Sequence, residues 1–161
     1  MTSIAWRWKW GSGDVELLVS QAVADVLGSY RQRWWGAAER GGQLFVASDC
    51  PDGLLLALAT LPHSSDRAGR TWLELNDQRC LNEINRANTT GLRLVGYWHT
   101  HPQKIPEISS ADIDSFSRFA ARYTKELPHP LAVIVGQSSQ SAGIKAWSFR
   151  GGQYVEATRL E

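Results

Sequence analysis

The stretch LRLVGYWHTHPQKIPEISSADIDSF, Leu92 to Phe116, switches hydrophobic period from two to about 3.6 across one short loop. It therefore reads as a strand, a turn and a helix in immediate succession. Along a strand from Val95 to His101, residues two apart share a face, so His99 and His101 point together and Thr100 points away. Pro102 lacks an amide hydrogen and helps end the strand. A helix is expected from Ser109 to about Glu126, with Ile113, Phe116, Phe119, Ala120 and Tyr123 on one side. Ser109 and Asp112 then lie in its first turn, where the helix dipole favours an ionised carboxylate. Two imidazoles, one carboxylate and an open position form the ligand set of a catalytic zinc site. Each part also has a plainer reading. A bare H-x-H is a weak signal, and Ser109-x-x-Asp112 is the pattern of a capping box. On that reading Asp112 should not serve fully both as cap partner and as metal ligand.

The rest of the chain supplies more strands than helices. Trp6, Trp8 and Trp10 alternate with Arg7 and Lys9, which suggests an edge strand with its aromatic face on the core. DVELLVS is a second strand, and Ser20 is a candidate N-cap for a helix carrying Val23, Val26, Leu27 and Tyr30. GGQLFVA and GLLLALATL read as strands around the turn SDCPDG, and TWLEL is a possible strand. Asp77 opens a helix through Ala87, with Leu81 and Ile84 inward. LAVIVG is a buried strand, and GIKAWSF with QYVEATRL forms a hairpin turning at RGG. The elements do not alternate strictly as βαβ. An α+β domain with a mixed central sheet flanked by helices follows, a single domain over 1–161.

A metal of this kind needs a partner that takes a proton from water. Glu39 is the best candidate, because it immediately precedes a strand and Gly41-Gly42 leaves room for another chain to approach. Glu107 sits on a loop, and Asp114 faces away from Asp112. The plain alternative for Glu39 is a solvated charge. Composition narrows the rest. Lys and Arg total 17 against 16 acidic residues, which gives no basic surplus for nucleic acid. No apolar run reaches the ~18 residues of a membrane span, and MTSIAWRWKWGSGD has no signal-peptide core. Cys50 and Cys80 form no C-x-x-C pair and read as free thiols, Cys80 on the inward side of its helix. A cytoplasmic protein is expected.

His99, His101, Ser109 and Asp112 fit H-x-H, seven residues, S-x-x-D in every position. That pattern, with Glu39-Arg40-Gly41-Gly42-Gln43-Leu44, resembles the JAB/MPN/Mov34 (JAMM) metalloprotease family. The resemblance implies a cytidine deaminase-like fold and a zinc isopeptidase. In it His99, His101 and Asp112 would hold Zn2+, Glu39 would carry the proton to the leaving amine, and Ser109 would stabilise the oxyanion. Gly41 and Gly42 would flank an extended substrate tail, the C-terminus of a ubiquitin-like or conjugated protein. Similar stand-alone bacterial proteins accompany E1- and E2-like proteins in anti-phage operons, with a cGAS-like nucleotidyltransferase as the conjugated protein. Trimming of a sulfur-carrier C-terminus is the alternative, and a non-catalytic scaffold of the same fold is another. A zinc deaminase would require H-x-E and P-C-x-x-C, and neither is present.

Overall fold

In the computed structural model, residues 2–11, 16–47, 54–123, 130–150 and 153–161 are described. Two strands open the chain, β1 (Ile4–Lys9) and β2 (Glu16–Ser20), and lead directly into α1 (Gln21–Ser29). The Ser20 hydroxyl accepts the Val23 amide, so the expected N-cap forms. β3 (Gly41–Ala47) and β4 (Leu54–Ala59) follow, then a short hairpin, β5 (Arg67–Gly69) with β6 (Trp72–Glu74). α2 (Asp77–Thr89) leads to β7 (Leu92–Thr100), and α3 (Ser110–Arg122) to β8 (Leu131–Val135). The chain finishes with β9 (Ile144–Arg150), β10 (Gln153–Glu156) and β11 (Thr158–Leu160). The expected turn at 48–53 with Cys50, the helix beyond Tyr123, His129 and the turn at 151–152 lie outside the described residues.

Nine strands form one mixed sheet in the order β10-β9-β8-β7-β3-β4-β2-β1-β11, parallel at β2–β4 and β7–β8. The architecture is α+β. Only Ala157 separates β10 from β11, yet β10 pairs with β9 and β11 pairs with β1. That one segment therefore ties the two ends of the sheet together. β1 is consequently not an edge strand, as its alternation suggested; β11 covers its outer side. Its tryptophans do face the core. Trp6, Trp8 and Trp10 are buried with Val23, Leu27, Leu56 and Trp98 in the largest apolar cluster.

α2 and α3 cover the other face. Phe45, Ile84, Ala87 and Leu94 form one cluster beneath α2, and Tyr97, Phe116 and Ala132 another beneath α3. Leu81 was expected inward but is 49 % exposed. The buried line of α2 runs through Cys80, Ile84 and Ala87, one position behind Leu81. Beside it the buried Arg79 guanidinium reaches Asp66, Glu83, the Thr60 hydroxyl and the Gly41 carbonyl. A charged network thus occupies the start of the helix where a leucine was expected to pack.

Candidate metal centre and cleft

β7 ends where α3 begins to cover it. Its pleat places Tyr97 and His99 on the α3 side, with the rings stacked at 5.6 Å. His101 continues that face and is tied to β8 by its amide, which donates to the Val135 carbonyl. Both imidazoles are buried. Their Nε2 atoms lie 3.2 Å apart, and Oδ1 of Asp112 is 3.0 Å from His99 Nε2 and 3.2 Å from His101 Nε2.

Asp112 does two things at once, contrary to the expectation that it could not. Its Oδ2 accepts the Ser109 amide at 2.8 Å, and the Ser109 hydroxyl accepts the Asp112 amide at 3.1 Å, completing the capping box. One carboxylate oxygen suffices for the cap, so Oδ1 remains directed at the histidines.

The donor set fits a zinc ion. Ligand atoms about 2.0–2.1 Å from a tetrahedral ion are separated by roughly 3.3 Å, close to the three distances here. Gln103 Oε1 lies 3.1 Å from His101 Nδ1. Because that oxygen accepts only, it places the ring proton on Nδ1 and leaves the Nε2 lone pair facing the cluster. Burial alone would raise the Asp112 carboxyl, but the neighbouring imidazoles and the Ser109 amide outweigh it and hold the carboxyl far below the ordinary carboxylate range. Burial lowers His99, whereas for His101 the Asp112 carboxylate and Gln103 outweigh burial and raise it.

Glu39 is brought to this centre from the chain preceding β3. Gly41 pairs with His99 in the β3–β7 ladder. The Arg40 amide donates to the Thr100 hydroxyl, and the Thr100 amide donates to the Arg40 carbonyl. Glu39 is 4 % exposed, so it is not a solvated charge at a strand start. Its own amide donates to the Gly69 carbonyl, which brings the β5–β6 hairpin over it. Burial pushes its carboxyl up to about 8, with His101 lowering it and Asp112 raising it by smaller amounts. Glu39, His99 and Asp112 line one cleft with Thr71, Trp72, Leu73 and Tyr97, and Ser109 stands exposed at the start of α3 beside them.

Gly41 and Gly42 do not flank an open groove. A Cβ on Gly41 would lie 2.2 Å from the Trp98 carbonyl oxygen, and one on Gly42 would lie 2.1 Å from that of Thr60. β3 is paired on one side with β7 and on the other with β4, so it has no free edge for a tail. The open edge is elsewhere. Among the described residues β6 pairs only with β5, and its other side faces α3 across a cleft of about 300 Å³. That cleft passes Leu73, Leu75, Phe119 and Tyr123 and shares Leu73, Tyr97 and Ser115 with the smaller one that holds Glu39, His99 and Asp112. Tyr97 forms part of its wall, and its buried hydroxyl has no hydrogen-bond partner among the described residues. Sequence reasoning overlooked Tyr97 and Gln103. The period of two that paired His99 with His101 would have found Tyr97, but nothing in the sequence marks Gln103.

A profile of the family described as "Prokaryotic homologs of the JAB domain" matches residues 29–150. The chain is 29 % identical over 106 residues to an Escherichia coli (strain TW11681) protein named "CD-NTase/cGAS isopeptidase", covering 64 % of this chain and 67 % of that protein. A Pseudomonas aeruginosa protein of the same name is 28 % identical over 136 residues, 81 % of this chain and 84 % of the relative. An Enterobacter hormaechei protein of that name is 31 % identical over 103 residues, and the match spans 63 % of this chain and 57 % of that relative's length. In fold, the chain is similar to a solution structure from Desulfitobacterium hafniense, with a TM-score of 0.60, 18 % identity and coverage of 86 % and 87 %.

Proposed function

The chain belongs to the prokaryotic homologs of the JAB domain, and from that premise we propose that it is a zinc-dependent isopeptidase. Its substrate on this reading is a protein conjugated through its C-terminal tail, a CD-NTase/cGAS-like nucleotidyltransferase in an anti-phage system. The names of the bacterial relatives support the substrate. The observation that carries the chemistry is the convergence of His99, His101 and Asp112, two of which, His99 and Asp112, share a cleft with the buried Glu39. No helix among the described residues is long and apolar enough to cross a membrane, and action in the cytoplasm is part of the proposal.

His99 Nε2, His101 Nε2 and Asp112 Oδ1 would hold the ion. When bound, the metal supplies Lewis-acid activation of water and of the scissile carbonyl. Glu39 takes the proton from that water. Its burial shields it from bulk solvent, so the proton it takes stays available for the leaving nitrogen. The water oxygen bonds to the carbonyl carbon, the carbon–nitrogen bond breaks, and a carboxylate and a free amine result. The Ser109 oxygen is occupied by the Asp112 amide, but its hydrogen is free to donate to the carbonyl oxygen as charge develops there. The tail lies along the open side of β6, hydrogen bonding as an added strand.

The test is a CD-NTase tail joined by an isopeptide bond to a lysine of a carrier protein, incubated with zinc-loaded enzyme. Mass spectrometry should find the intact tail carboxylate and the unmodified lysine. An untouched conjugate overturns the proposal. Cleavage of only a linear fusion of the same tail reassigns the enzyme to C-terminal processing.

A further inference from the structure

The segment between α1 and Glu39 exposes two large aromatic side chains, Trp34 at 68 % and Trp35 at 80 %. Exposed apolar surface of this kind beside a cleft marks an interaction site. These rings are held in place. The Trp34 ring lies so close over Gly36 that a Cβ there would sit 2.1 Å from it, and the Trp72 indole covers Gly69 in the same way at 2.2 Å. The Arg70 guanidinium lies over the Trp35 ring, 5.2 Å from its centroid, while its Nε donates to the Trp35 carbonyl. Beneath them, the Gln32 side chain is 1 % exposed and donates to the carbonyls of Ala37 and Arg70. Its own Oε1 accepts the hydroxyl of Thr100, the residue between the two histidines. Loop, hairpin turn and metal strand are thus one rigid unit.

Position along the cleft indicates what this unit meets. The tail cleft has two ends. Thr71 and Trp72, at the hairpin turn, line the part that contains Glu39, His99 and Asp112, while Glu74, Leu75 and Asp77 line the part farther away. A tail in the cleft would therefore reach the metal at the turn. Trp35 is joined through Arg70 to that turn, so a tail that enters along Leu75 would leave its amine partner on the side of the tryptophans. Charge narrows the partner further. Arg70 lies over Trp35, Arg31, Arg33 and Arg40 are close in sequence, and the only carboxylate in 28–40 and 69–72 is the buried Glu39.

We propose that Trp34 and Trp35, together with the arginines of this segment, dock the folded protein whose lysine carries the tail, through an apolar patch on it bordered by carboxylates. The inference rests on the isopeptidase reading above. It makes the enzyme selective on the amine side as well as for the tail.

The experiment compares one CD-NTase tail on three amines: aminomethylcoumarin, a lysine of a folded acidic carrier and a lysine of a folded basic carrier. Wild type should cut the acidic conjugate faster than the basic one. Trp34→Ser/Trp35→Ser should leave Tm, zinc content and coumarin release unchanged and lower kcat/KM on the acidic conjugate about tenfold. Arg33→Glu should reverse the preference between carriers. If the double variant cuts all three as wild type does, or loses all three equally, the docking inference fails and the isopeptidase reading stands. If wild type cuts none of the three, both fail. A wild-type dimer that the double variant cannot form, with unchanged conjugate cleavage, also overturns docking and assigns the tryptophans to self-association.

Discussion

Ser109 and Asp112 cap each other: the Ser109 amide donates to Asp112 Oδ2 at 2.8 Å, and the Asp112 amide donates to the Ser109 hydroxyl at 3.1 Å. The helix start and the metal cluster thus share one carboxylate. Stability and catalysis can be separated here by choice of substitution. Ser109→Ala should cost about 1 kcal/mol of stability through the lost cap, whereas glycine, a tolerable N-cap, should cost only a few tenths. Both remove the hydroxyl, so both should reduce turnover by roughly 10²–10³-fold. Calorimetry and steady-state kinetics on the two variants check this. A fully active Ser109→Gly would show that the hydroxyl does not serve the reaction.

Glu39 sits beside the donor cluster but outside it. Glu39→Gln should therefore keep its zinc, by metal analysis, while turnover drops roughly 10²–10⁴-fold. His101→Ala and Asp112→Asn should lose metal and activity together. A strong chelator should inactivate wild type and added zinc should restore it. Turnover that survived exhaustive metal removal would rule out the mechanism.

The Asp66–Arg79 pair predicts an acid-sensitive component of stability. Both side chains are buried, at 7 % and 4 % exposure, with an N–O distance of 2.7 Å. Burial alone would raise the Asp66 carboxyl, but the Arg79 hydrogen bonds outweigh it and hold the carboxyl below its ordinary value. A lowered folded-state value means stability that is fully present above the unfolded carboxyl value and is lost as pH falls through the folded one. Asp66→Asn should cost about 3 kcal/mol near neutrality, the scale for breaking a buried pair. The gap between variant and wild type should then narrow in urea melts taken well below the ordinary carboxylate range. A gap that stays constant with pH would place the cost elsewhere.

Gly42→Ala tests what the glycine pair is for. With the Thr60 carbonyl oxygen 2.1 Å from the new Cβ, the backbone must shift. The expected cost is about 1–3 kcal/mol of stability, as for other overpacked sites. KM for the tail should be unaffected in protein that remains folded. A raised KM with unchanged Tm would return the pair to the substrate groove.

Much of the site is local in sequence and was legible for that reason. Strand pleat places His99 beside His101, and a helix first turn places Asp112 beside Ser109; neither needs a long-range contact. Glu39 could be nominated but not buried, because its burial comes from Gly69 on a hairpin thirty positions later whose first strand carries no clear period. The close packing around Gly41-Gly42 was hidden for a related cause. Both glycines answer to backbone atoms of strands 18 and 57 positions away, Thr60 and Trp98, and strand order is not written in local periodicity. Leu81 was assigned inward because an apolar residue usually marks the buried side, whereas α2 turns its first buried position over to Arg79.

The join at Ala157 has a consequence for how the molecule is made. Arg7 pairs with Leu160, so β1 finds its outer neighbour only after all the residues between them have been synthesised. Contacts between such distant positions slow the search for the native state. Until β11 arrives, one side of β1 presents bare backbone that another nascent chain could pair with. Overproduction of this protein should therefore be limited by association of incomplete chains, and slower synthesis at lower temperature should favour the folded form.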